Sequence, residues 1–124
     1  MPDAATLAPS GDAAEHALAF LDEMSPDLRG AAILDASGAV LAGTGGVDRW
    51  GENCGALLKV ADNAGAEPFE QIHVATEQGE VFAVRGAGMV AIAVTERFAL
   101  ASLMLFDLRS ILRDLASGSA RRTA

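Results

Sequence analysis

The residues able to do chemistry here are few, and their spacing decides against most of it. A thiol beside an imidazole would make a nucleophile, and the pairing available is Cys54 with His73 or His16. Cys54 falls in an apolar stripe with Trp50 and Leu58, the setting of an inert packing thiol. The two histidines sit far apart, His16 on an acidic helical stretch and His73 in a strand, and neither has a Cys or His partner at zinc spacing. Gly43-Thr44-Gly45-Gly46 follows a strand and precedes a helix, the position of a phosphate-cradling loop. It lacks both the Gly-Lys-Ser/Thr ending and the GxGxxG fingerprint, so it reads as a connection, and Gly86–Gly88 reads as a turn. No catalytic residue, metal site or cofactor site is expected.

Two further features concern recognition. Asp107, Arg109, Arg113 and Asp114 cluster near the C-terminus. Such clusters are commonly solvated faces worth tenths of a kcal/mol per pair. Asp107 borders the apolar stripe beside Leu103 and Met104, where it either holds a partly buried hydrogen bond or marks a docking rim. Phe106 is an aromatic on an otherwise polar arc; it either packs on the first helix or stands exposed as a partner anchor.

These residues need elements to hold them, and 124 residues allow one domain. The chain is 51% hydrophobic with mean hydropathy +0.28, much of the excess being alanine. A small domain so composed keeps apolar surface after its core is filled, which marks a protein–protein interface. The net charge of -8 argues against nucleic acid, which needs clustered Lys and Arg. A lone cysteine, no signal-peptide pattern and no run of ~18 apolar residues give the expectation of a cytoplasmic protein without a membrane span.

Along the chain, residues 1–11 read as a disordered tail, 12–116 as the domain and 117–124 as a flexible tail. A helix from about Ala13 puts Ala17, Leu18, Leu21 and Met24 on one face and stops at Ser25-Pro26. LRGAAILDASGAVLA, Leu28–Ala42, reads as a hairpin turning at Asp35-Ala36-Ser37-Gly38. A second helix follows from about Val47 to Ala64, with Gly51 and Gly55 one turn apart. Each glycine costs ~1 kcal/mol relative to alanine, unless it admits another backbone. Strands follow at Phe69–Thr76, Glu80–Arg85 and Met89–Thr95. MVAIAV, apolar on both faces, is expected at mid-sheet. The last helix, about Ala99–Ala116, has a stripe of Leu100, Met104, Leu108, Ile111 and Leu115.

Gly30–Ala42, the HVATEQGEVFAV hairpin at His73–Val84 and the VAIAVTERFALASL junction at Val90–Leu103 together resemble the Roadblock, or dynein light chain-like, family in its bacterial branch. The resemblance implies an α+β fold in the order α-β-β-α-β-β-β-α, a five-stranded antiparallel sheet with helices on both faces. It implies a homodimer in which the strand beginning near Phe69, with Gln71 and His73, pairs with its twin while the middle helices pack at Gly51 and Gly55. It also implies a protein without an active site of its own that binds and modulates a Ras-like small GTPase. Phe106, Asp107, Arg109 and Arg113 are the partner-binding candidates. Two alternatives remain open: a structural adaptor in a cytoskeletal or motor-type complex, and a small-ligand-sensing domain.

Overall fold

The computed structural model describes residues 11–44 and 70–123. The N-terminal ten residues, the expected second helix with Gly51 and Gly55, Cys54 and Phe69 lie outside them. Two helices and five strands are described: α1 Gly11–Met24, β1 Leu28–Asp35, β2 Val40–Gly43, β3 Gln71–Ala75, β4 Glu80–Gly86, β5 Met89–Thr95 and α2 Ala101–Thr123. All strand pairs are antiparallel and the sheet runs β2-β1-β5-β4-β3.

Local chemistry explains the first elements. Ala14, Leu18 and Leu21 recur at helical spacing and are buried, and Asp12 lies in the first turn where a negative charge meets the helix dipole favourably. The helix stops before Ser25-Pro26. The β1–β2 turn closes on Asp35, whose Oδ1 accepts from the amides of Ser37 and Ala39 at 2.9 and 3.0 Å and from the Ser37 hydroxyl at 2.7 Å. Those bonds, the hydroxyl's first, hold the Asp35 carboxyl below its ordinary pKa.

MVAIAV occupies the central strand as its two-sided apolar pattern requires, pairing with β1 on one side and β4 on the other. On one sheet face Ala31, Ile33, Phe82, Val84, Ala91 and Ala93 meet Leu18 and Leu21 of α1 and Met104, Leu108, Ile111, Leu112 and Leu115 of α2. The alanines give the sheet a shallow surface, on which the leucines of both helices settle. Leu34, Ala83, Val90 and Ile92 form a second buried cluster on the opposite face, to which neither described helix contributes.

Three expectations need correction. The apolar spacing predicts Leu100 at the head of the last helix's stripe. The helix starts at Ala101, so Leu100 lies outside the helical repeat and is 66% exposed. Met24, expected on the buried stripe of α1, is exposed. The backbone of α2 continues to Thr123, beyond the helix end expected at about Ala116, and no proline stands there to stop it.

Candidate docking surface

The segment from Glu96 to Leu100, between β5 and α2, breaks two local rules. Phe98 adopts φ 65°, a left-handed conformation that costs a bulky residue about 1–2 kcal/mol. Its ring is 84% exposed, with the Arg97 guanidinium 4.7 Å from its centroid. Leu100 stands where a helix N-cap belongs, since its carbonyl accepts the first intrahelical bond from the Met104 amide at 3.0 Å. Leucine has no side-chain oxygen to satisfy the open amides.

Despite this strain the segment is held at both ends. Glu80, buried at the start of β4, accepts a bond from the Ala99 amide on Oε2 at 3.0 Å. Its Oε1 faces His73 Nε2 at 2.5 Å, and the His73 ring stacks on Phe82 with centroids 4.4 Å apart. The His73 bond holds the Glu80 carboxyl below the ordinary glutamate range against the opposing effect of desolvation. At the other end the Glu96 amide donates to Asp27 O at 2.9 Å, and the Glu96 carboxylate pairs with Arg29. Arg29 also donates to Gln78 O at 2.6 Å, tying in the β3–β4 turn. A segment fixed this way loses little further freedom on binding.

Further apolar side chains are exposed after it. Leu100, Leu103 and Phe106 follow at three-residue spacing, and Leu103 and Phe106 are 52% and 57% exposed. Phe20 and Met24, one turn apart on α1, are exposed too, and Met24 shares a cleft with Leu100 and Leu103. Asp107 lines the same cleft and is 8% exposed. Burial therefore pushes its carboxyl up from the ordinary aspartate range.

Of the sequence candidates, Phe106 is exposed rather than packed on α1, and Asp107 sits in the cleft floor. Arg109 and Arg113 are exposed on α2 and do not line that cleft. Gln71 and His73 lie on β3, an edge strand among the described residues. His16 is on α1 with Nδ1 3.1 Å from Asp12 O, and the structure does not bring it to His73. Phe20, Met24, Phe98, Leu100 and Leu103 were not singled out for recognition. One signal was available: the stretch TERFALASLM enters a helix with leucine where a cap residue is usual.

Leu100→Ser restores that cap and is expected to stabilise the isolated chain by about 1 kcal/mol, read as a higher urea midpoint at unchanged slope. An unchanged or lower midpoint would mean that the Leu100 side chain contributes to packing.

Neither a protein-family model nor a curated protein matches this sequence. Solved structures match its shape. A Roadblock/LC7 domain from Streptomyces avermitilis superposes with TM-score 0.68 at 18% identity, covering 77% of this chain and 88% of that one. The gliding protein MglB from Thermus thermophilus gives 0.66 at 17% identity, covering 89% and 90%. LokiProfilin1, solved in complex with rabbit actin, gives 0.63 at 14% identity, covering 88% and 98%. No helix among the described residues is long and apolar enough to cross a membrane. The described chain has the fold of a Roadblock/LC7 domain, with the profilins as neighbours in shape.

Proposed function

We propose that this chain is a non-catalytic docking module, a homodimer that binds and modulates a Ras-like small GTPase. The observation that carries the docking role is the Phe98–Phe106 surface, which keeps apolar side chains exposed at two positions where local backbone preference opposes them. Proteins depart from local rules in this way chiefly at functional sites. The GTPase as partner rests on the resemblance to bacterial Roadblock domains and on the shared shape. Self-association is supported by the place of β3 at the sheet edge among the described residues and by an MglB structure described as tetrameric, matched at TM-score 0.63 and 18% identity. The mechanism is positioning: docking orders the partner's switch loops and shifts its nucleotide cycle.

The test is titration calorimetry with a Ras-like GTPase of the same cell, loaded with GDP or with a non-hydrolysable GTP analogue. Binding that differs between the two states supports the reading, together with a light-scattering mass twice the 12.7 kDa chain. No binding in either state overturns the GTPase role. A second reading, a cytoskeletal adaptor, is favoured by the likeness to a profilin bound to actin, and co-sedimentation with actin-like filaments would support it.

A further inference from the structure

We propose that the cleft between the end of α1 and the start of α2 receives the guanidinium head of one arginine, presented between apolar residues by a protein partner. The inference deepens the docking role just described and rests on it. The cleft has a volume of about 80 Å³ and is walled by Met24, Pro26, Leu100 and Leu103, with Asp107 and Asp27 as its charged groups. A space of that size suits a small planar headgroup, with its stem lying along the apolar walls.

Asp107 is what makes this a built site. A buried carboxylate normally has donors around it. This one is more than nine-tenths buried as a residue and lines the cleft, where its oxygens keep contact with solvent in place of a protein donor. Ser25, equally buried, lines the same cleft. A carboxylate and a hydroxyl lining an apolar cleft are complementary to a cationic donor with an apolar stem. Guanidinium meets that description better than ammonium. It is planar, weakly hydrated, able to bind both oxygens of one carboxylate, and tolerant of apolar walls. Asp27 adds negative charge on the α1–β1 connection, where its backbone oxygen is already used by the Glu96 amide. The chain's overall charge of -8 favours the approach of a basic partner face.

The probe is the peptide N-acetyl-Leu-Arg-Leu-amide, with citrulline replacing arginine as a neutral control, titrated into the isotope-labelled full chain and followed by amide shifts. The arginine peptide is expected to move the amides of 24–27 and 99–107 saturably, with the citrulline peptide about tenfold weaker. Asp107→Asn is expected to bring the arginine peptide down to the citrulline level while Tm stays the same or rises. Equal response to the two peptides would overturn the proposal, as would shifts mapping elsewhere or an arginine preference that survives Asp107→Asn. Unfolding of Asp107→Asn would overturn it too, because the carboxylate would then be structural. Calcium or magnesium displacing the peptide from the same amides would assign the cleft to a metal ion. The same shifts on simply concentrating the protein would assign it to a second copy of the chain. Peptide binding without any GTPase binding would overturn the GTPase reading alone. Undiminished GTPase binding by Asp107→Asn would overturn the arginine cleft alone.

Discussion

Phe82→Ala is expected to lower the free energy of unfolding by about 3–5 kcal/mol, the largest effect of any single substitution considered. Phe82 is among the largest fully buried side chains, lies on β4 one strand in from the β3 edge, and faces α1 and α2 across the principal core. Its neighbours across the sheet are Ala93 and His73, and neither can expand to fill the space. The same ring supports the His73 imidazole, and through it the bond to Glu80 that anchors Ala99. The damage therefore extends from the core to the docking segment. A domain of ordinary stability has roughly 5–15 kcal/mol in total, so much of the margin disappears. Urea denaturation measures it, and a loss under about 1 kcal/mol would mean that the helices do not pack on this strand.

Leu103→Asp is expected to weaken binding of the GTPase at least about 30-fold, the range of a central anchor lost from an interface. Leu103 is half exposed at the centre of the Leu100–Phe106 row, so the variant should keep the Tm of the parent to within a few degrees. The new carboxylate would also stand beside Asp107 and repel it. Arg113→Ala, exposed and away from the cleft, supplies the control and is expected to change affinity less than twofold. Calorimetry on both variants decides the matter. Equal losses in the two would place the contact on the charged arc of α2, and no loss in Leu103→Asp would remove the apolar row from the interface.

Most of the fold could be read in the sequence because its signals are local. Pro26 stops α1, Asp35 and Gly38 close the first hairpin, and the alternation of Ile72 and Val74 with Gln71 and His73 marks a half-buried strand. The two-sided apolar run of Met89–Thr95 placed β5 in the middle, where the sheet order has it. The docking surface was only half legible. Phe106 and Asp107 stood out by type within a helical repeat. Phe98 and Leu100 did not, since their significance lies in backbone state: a positive φ and a cap position are set by where α2 begins, not by hydrophobic spacing. Glu80 was also missed, because its role is a bond to an amide nineteen residues away. Such pairings depend on strand register, which composition and period do not encode.

The central claim, that one prearranged apolar face of this chain docks a GTPase, is tested most directly by hydrogen exchange on the full chain, free and in complex with the GTP-analogue-loaded partner. Protection is expected to rise at 96–107 and at 20–27, with Arg109 to Leu115 little changed. Protection confined to the outer arc of α2 around Arg109 and Arg113, with 96–107 exchanging as in the free chain, would contradict it.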